Sequence, residues 1–241
     1  MSEFPYLYRN SRAEARRQGE LEMWQKSHLV NVDCRKAIEE AISEGFSGEY
    51  LDENCAQSVI DRYGFKRVNY VLANTLQRLR RNERINEGYM QWGEHIFIPP
   101  DAAYNREFAV RCHPHALENF VAQSREAYQA LGLFGPEHCV EDGRGLDYTG
   151  KVLVLSPDTL KESCWSAENM LWLAEGGFGC SPTATGRAVY ATCLGDGEQT
   201  RWDRADFTGI LKDEFLPDWA QEKLEELRGQ KQSGPSMDGM G

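Results

Sequence analysis

The chain has 241 residues, of which 41% are hydrophobic and 27% charged, a composition typical of a globular protein with one large or two small domains. There is no run of about 18 apolar residues and residues 1–5 lack the pattern of a secretory signal, so neither a membrane span nor export is expected and a cytoplasmic location is predicted. The net charge of −11 disfavours nucleic acid as a partner, and seven scattered cysteines without a CxxC pair disfavour a disulfide framework.

The first part of the chain has the apolar spacing of amphipathic helices. Apolar residues recur every three or four positions over residues 21–42, 55–60 and 65–79. Gly45 and Gly64 follow the first two stripes as stop signals. Three consecutive helices are therefore predicted.

The segments that follow are less regular. The apolar run 96–98 ends at two prolines and predicts a short edge strand or an extended segment, and residues 108–110 predict another extended piece. Pro114 suits the first turn of a helix that is predicted to continue to Leu131. We therefore predict a mainly helical domain over residues 1–135.

The remaining residues predict a linker, a small module and a tail. Residues 136–150 carry four acidic residues and three glycines, which is typical of a linker. A strand is predicted over residues 151–155, a hairpin around residues 195–197, and a helix after Pro217. The fold class is α+β, with a β-rich module and its C-terminal helix over residues 151–228 and a disordered tail over residues 229–241.

Two sets of segments carry a resemblance to known families. The first set lies in the stretch from Tyr6 to Tyr128, especially residues 20–24, 35–42, 67–75, 96–99 and 112–114, and resembles an uncharacterised domain family of unknown function from conjugative and integrative elements of Gram-positive gut anaerobes. The second set, residues 168–174, 176–180, 186–190, 196–198 and 202–209, is similar to a small module found beside that family. The resemblance implies an accessory protein of a mobile element, serving transfer, replication or the blocking of host defences such as restriction and CRISPR nucleases.

The acidity lies mainly in the C-terminal part of the chain. Residues 136–241 hold 10 Lys and Arg against 19 Asp and Glu, a net charge of −9. Such a surface favours basic partners, including the grooves of nucleic-acid enzymes. We therefore predict a non-enzymatic inhibitor that binds another protein, possible targets being CRISPR or restriction nucleases. The predicted contact residues are Asp196, Glu198, Asp203, Asp206, Asp213 and Glu214, with Trp202 and Phe207 as aromatic anchors.

Two other functional classes stay open. An accessory protein of conjugation or replication would touch DNA through the basic end of the third helix, at Arg78, Arg80, Arg81 and Arg84. A cysteine-dependent enzyme would use Cys180, which ends a glycine-rich loop over residues 176–182. Because the C-terminal module contains no histidine, a base for Cys180 would have to come from the other domain.

The densest group of potential metal ligands is Cys112, His113 and His115, with His138 and Cys139 beyond the following helix. Zinc needs about four ligands in tetrahedral geometry, and a helix between the two groups separates them. We therefore predict capping and surface roles for His113 and His115, and we expect no metal and no cofactor.

Overall fold

A computed structural model describes residues 6–79 and 85–232, and within them the chain forms two compact units that divide between Ala130 and Leu131. The N-terminal unit contains the helices α1 (Arg12–Gln18), α2 (Leu21–Gly45), α3 (Cys55–Tyr63), α4 (Phe65–Arg78), α5 (Glu87–Glu94), α6 (Ala102–Asn105) and α7 (Pro114–Gln129). The C-terminal unit contains β1 (Val152–Leu155), α8 (Ala167–Met170), β2 (Leu171–Gly176), β3 (Ala188–Cys193), β4 (Gln199–Asp203), β5 (Phe207–Ile210) and α9 (Asp218–Gln232). The predicted α+β class is confirmed.

The predicted apolar stripes form the core of the N-terminal unit. Helices α2, α3, α4 and α7 bury their apolar faces against one another, with members that include Ile38, Val59, Leu72 and Phe120. Pro114 occupies the first turn of α7, where its missing N–H is not needed. No helix in the described part of the chain is both long and apolar enough to cross a bilayer.

Polar side chains of α4 hold the irregular segment that follows α5. Gln77 Nε2 donates to the carbonyls of Gly93 and Ile96, both at 2.8 Å, and Thr75 Oγ1 accepts from Val110 N–H at 3.0 Å. Residues 96–98 and 108–110 form no strand in the described structure. Side chains of α4 take the place of a neighbouring strand as hydrogen-bond partners for the Ile96 carbonyl and the Val110 N–H. Of the two forms predicted for residues 96–98, the strand is wrong.

The five strands of the C-terminal unit form an antiparallel sheet in the order β4-β3-β2-β1-β5. The outermost strands, β4 and β5, are joined by a single 3₁₀ turn, Arg204–Asp206. Such a link reaches about 14 Å at most, whereas a flat sheet would separate these strands by about 19 Å. The sheet must therefore curl into a partly closed barrel.

Two apolar layers stabilise this curled sheet. The barrel interior contains Tyr148, Leu153, Leu155, Trp172, Ala174, Val189, Ala191 and Phe207. On the opposite face, Val154, Leu171 and Leu173 pack with Ala220 and Leu224 of α9. Helix α9 thus covers β1 and β2, as the alternation of side chains across a strand requires.

Residues 136–150, for which we predicted a linker, instead pack into the C-terminal unit. Tyr148 is 1% exposed, and Val140 N–H donates to the Ile210 carbonyl at 2.8 Å. The linker prediction is therefore wrong: a few spaced apolar side chains and backbone hydrogen bonds suffice to fold this glycine-rich segment. At the other end, residues 229–232 of the predicted tail continue α9, and residues 233–241 lie outside the described residues.

Candidate protein-binding surface

The turn of the β3–β4 hairpin positions two of the predicted contact residues. Gly197 takes a φ of 81° and donates its N–H to the Cys193 carbonyl at 3.0 Å, a conformation that favours glycine. Asp196 and Glu198 are both exposed, and the Asp196 carboxylate accepts the Glu198 N–H at 2.9 Å. Asp196 therefore stabilises the turn as well as carrying charge.

The carboxylates at the end of β4 are engaged in local structure. Asp203 Oδ1 accepts from Ala205 N–H at 2.8 Å and from Arg187 Nε at 2.9 Å, and Asp206 accepts the Asp203 N–H at 2.8 Å. The Ala205 N–H and then Arg187 lower the pKa of Asp203. Asp203 and Asp206 thus cap the 3₁₀ turn, and Arg187 offsets part of the negative charge.

The two predicted aromatic anchors have different surroundings. Phe207 is 1% exposed inside the barrel, so its predicted role as a surface anchor is wrong. Trp202 is half-buried and packs edge-on against Trp172, with ring centroids 5.2 Å apart. Its indole N–H is buried, with no acceptor in the part of the chain that the structure describes. Trp202 is therefore only partly accessible, on β4 at the end of the sheet.

Asp213 and Glu214 lie in a 3₁₀ turn after β5, the strand at the opposite end of the sheet order from β4. The six predicted carboxylates therefore do not form one continuous surface: four lie at β4 and the turns beside it, and two lie after β5. Both residues are exposed and lead into α9. Helix α9 exposes four more carboxylates, which were not among the predicted contact residues: Asp218, Glu222, Glu225 and Glu226. We call the six residues Asp213, Glu214, Asp218, Glu222, Glu225 and Glu226 the α9 carboxylates.

The spacing of the helical members places the α9 carboxylates on one side of the helix. Position 222 follows 218 by four residues, and positions 225 and 226 follow 222 by three and four, which brings all four to one face, while Leu224 is buried on the other. Glu226 pairs with Lys223 at 3.2 Å, whereas Asp213, Glu214 and Glu222 have no ion-pair partner among the described residues. The spacing itself was the signal that sequence reasoning missed.

Arg204 fastens the turns on which the C-terminal surface is built. Its Nη1 donates to the carbonyls of Gly179 and Cys180, both at 2.7 Å. Its Nη2 donates to the carbonyls of Arg144 and Leu146, at 2.6 and 2.7 Å. The guanidinium also lies 3.7 Å from the centre of the Tyr148 ring. No sequence pattern reveals such a residue, because all four acceptors are backbone atoms.

The thiol of Cys180 is buried, with 2% of the residue exposed. Burial raises its pKa, which opposes the formation of the nucleophilic thiolate. The next residues along its loop, Ser181 and Thr183, bond to each other at 3.1 Å. This geometry gives the cysteine-dependent hypothesis no support.

Thiol labelling tests this description of the cysteines. Cys164 is exposed, whereas Cys34, Cys139, Cys180 and Cys193 are buried, and burial raises the pKa of Cys34 to about 12. We expect Cys164 of the native protein to react with an aromatic disulfide reagent about a hundredfold faster than the buried thiols, which must wait for local opening. Denaturant should expose all seven. Fast labelling of Cys180 in a native Cys164→Ser variant would contradict this result and favour a reactive Cys180.

His113 occupies the N-cap position of α7, but its side chain makes no capping hydrogen bond, so its predicted capping role is wrong. Both His113 and His115 are exposed at the surface, as predicted. His113 stacks on Phe46 at 6.0 Å between ring centroids, and His115 Nε2 lies 3.1 Å from the Glu49 carbonyl oxygen. Burial raises the pKa of Cys112 to about 11. Across residues 6–79 and 85–232, no three His, Cys, Asp or Glu side chains are grouped so that they could hold a metal ion.

Of the four arginines proposed to contact DNA, the structure describes Arg78. It is exposed at the end of α4. Arg80, Arg81 and Arg84 lie outside the described residues. The DNA-contact hypothesis therefore stays a prediction.

In the N-terminal unit, a cluster of polar side chains lies buried between α2 and α4. The Arg67 guanidinium is nearly inaccessible, donates to the Ser27 carbonyl at 3.0 Å and contacts the Asn31 side chain. Beside it lies a cavity of about 10 Å³, lined by residues that include Trp24 and His28, which is room for one water molecule. The hydrogen bonds of Arg67 therefore specify how α2 packs on α4. The cavity beside them is too small for a metabolite.

A family model described as "Protein of unknown function (DUF3849)" matches residues 7–129. No curated protein and no solved structure matches the chain. The match covers almost the same residues as the first resemblance and confirms that they belong to an uncharacterised family. The mobile-element setting and the resemblance of the C-terminal module stay predictions.

Proposed function

The chain belongs to the DUF3849 family of proteins of unknown function, and from this premise we propose that it binds a protein partner without chemical turnover. The contact that we propose lies on the C-terminal unit. The observation that carries the proposal is the set of α9 carboxylates, exposed along one helix and the turn before it. The predicted contact residues Asp203 and Asp206 contribute less to this surface, because their carboxylates cap the 3₁₀ turn after β4.

The partner that fits this surface is a protein with a basic face. Exposed carboxylates of one sign raise the rate at which a basic surface is encountered and disfavour DNA. Restriction and CRISPR nucleases carry such faces where they bind nucleic acid, because phosphate recognition needs Lys and Arg. We therefore propose inhibition of a host defence nuclease as the setting, supported by the charge of −9 over residues 136–241.

Affinity capture with charge-reversed variants tests the proposal. We expect the tagged protein to retain a stoichiometric nucleic-acid enzyme from host lysate after nuclease treatment. Changing Glu214, Glu222 and Glu225 together to Lys should lower the captured amount about tenfold, because the long-range attraction becomes repulsion. Quantitative mass spectrometry of the captured proteins gives the measurement.

The matched control reverses three exposed carboxylates of the N-terminal unit, Glu40, Glu44 and Glu53, which changes the net charge equally. This control should capture as much partner as the unaltered chain. Equal losses in both variants would show that net charge, and not the α9 carboxylates, determines binding. Loss of every captured protein after nuclease treatment would contradict the proposal and favour DNA contact through the end of α4.

A further inference from the structure

The two edges of the curled sheet differ in whether they are covered. The outer side of β5 is occupied, because Val140 N–H donates to the Ile210 carbonyl and Cys139 bridges to Leu211. In the described part of the chain, no segment pairs with the outer side of β4. An open edge strand presents unpaired N–H and C=O groups that another strand can accept.

The hydrogen-bond pattern identifies which groups of β4 point outward. The ladder between β3 and β4 is bounded by Cys193 N–H to the Glu198 carbonyl and by Arg204 N–H to the Arg187 carbonyl, both at 2.8 Å. In an antiparallel pair such bonds involve every second residue, and the register then assigns Thr200 and Trp202 to the inner ladder. The backbone groups of Gln199 and Arg201 therefore face the open side.

Asp206 closes one end of this open edge. It accepts the Asp203 N–H at 2.8 Å, so that group is already satisfied. The open stretch is therefore short and has a fixed register, centred on Gln199 and Arg201. A short edge of this kind suits a short extended segment.

A cavity lies directly beside the open edge. It has a volume of about 320 Å³ and is lined by Phe178, Gly186, Arg187, Ala188, Arg201, Trp202 and Asp203. Phe178 is 79% exposed, yet it is held against Gly186, where an added Cβ would lie 2.6 Å from the Phe178 Cβ. Exposed aromatic side chains next to a cavity are a frequent feature of protein contact sites.

The charge at the edge indicates what a paired segment would carry. Arg187 is engaged with Asp203 at 2.9 Å. Arg201 is exposed and, although its charge contributes to lowering the pKa of Asp203, it forms no ion pair within 4 Å among the described residues. It lies opposite Tyr190 in the register, and Tyr190 is itself exposed. A carboxylate on the incoming segment would therefore complement Arg201, beside an aromatic surface.

We propose that β4 accepts an extended segment of a partner protein as a sixth strand, and that this segment places an apolar side chain in the cavity beside Phe178 and an acidic side chain on Arg201. Backbone hydrogen bonds to Gln199 and Arg201 give the affinity, and the two side-chain contacts give the specificity. This site is distinct from the α9 carboxylates and does not depend on them.

A displayed library of random linear peptides tests the site without knowledge of the partner. We expect the full chain to enrich peptides in which an acidic and an apolar residue lie two positions apart, because side chains on one face of a strand recur at every second residue. The Arg201→Pro variant should bind these peptides at least tenfold more weakly, because proline removes the outward N–H and leaves the ladder to β3 intact. The Arg201→Glu variant keeps the backbone groups and should enrich basic residues in place of acidic ones.

Hydrogen exchange of the β3 amides verifies that each variant keeps its sheet. The absence of enriched peptides, or equal binding of enriched peptides by the Arg201→Pro variant, would overturn the proposal. A dimer that dissociates in the Arg201→Pro variant, without peptide enrichment, would also overturn it and assign the edge to a second copy of the chain. The α9 variants serve as the matched control, and we expect their peptide binding to be unchanged.

Discussion

The replacement of Arg204 by lysine is expected to destabilise the C-terminal unit by about 3 kcal/mol, because one ammonium group cannot reproduce two guanidinium nitrogens that each donate to two carbonyls. The carbonyls that lose their donor are those of two separate turns, around Gly179 and around Gly143–Gly145. For a domain of this size the loss corresponds to a Tm lower by about 10 °C. Hydrogen exchange followed by mass spectrometry measures the effect on each unit separately.

The control for this experiment is Arg187→Lys. Arg187 pairs with Asp203 at an exposed position, and such pairs contribute about 1 kcal/mol or less. We therefore expect Arg187→Lys to leave the protection of the β-sheet amides nearly unchanged. If the Arg204→Lys variant were equally protected, the four hydrogen bonds would not determine the stability of the unit.

The second large effect is expected at Gly179, in the turn that carries Phe178 and Cys180. An added Cβ at this position would overlap the carbonyl group of Arg187 and would lie 2.9 Å from the carbonyl carbon of Ala188. Both neighbours are backbone atoms and cannot rotate away. We expect Gly179→Ala to cost about 3 kcal/mol or more and to displace the turn from β3.

Gly145→Ala is the matched control, because an added Cβ there meets no atom within 4 Å. We expect this variant to unfold at the temperature of the unaltered chain, while Gly179→Ala unfolds well below it. Differential scanning calorimetry compares the two. If Gly179→Ala unfolded at the same temperature as Gly145→Ala, the close contact between the turn at Gly179 and the backbone of Arg187 and Ala188 would not contribute to stability.

Helices α2, α3, α4 and α7 could be predicted because their apolar residues repeat with the helical period, whereas α1, α5 and α6 were not predicted. The stripe over residues 21–42 became α2, and the stripe over residues 65–79 became α4. The β3–β4 hairpin was equally predictable, since the turn around Gly197 needs a positive φ. Local signals of this kind depend on a few neighbouring residues and need no knowledge of the tertiary structure.

The strands that the sequence did not predict lack such signals. Residues 171–174 of β2 are buried on both faces, so they show no alternation of polar and apolar residues. Strand β5 has four residues, one of them a glycine. The same limit explains Phe207: whether an aromatic residue in a short strand faces the barrel or the solvent depends on register, which pairing with β1 determines.

The negative charge of the candidate site could be predicted from the sequence, but the positions and hydrogen bonds of its carboxylates could not. The excess of carboxylates is visible in the sequence, but capping by Asp203 and Asp206 depends on hydrogen bonds that form after folding. The open side of β4 depends on the strand order and on the segment that covers β5 instead. No local pattern encodes which edge of a sheet stays open.

The strand order also determines when the sheet of the C-terminal unit can be completed. The ladder between β1 and β5 joins Leu153 to Ile210, so the first strand of the barrel must wait for the last. Such distant pairings slow the formation of a sheet. The barrel remains an incomplete sheet until residue 210 has left the ribosome.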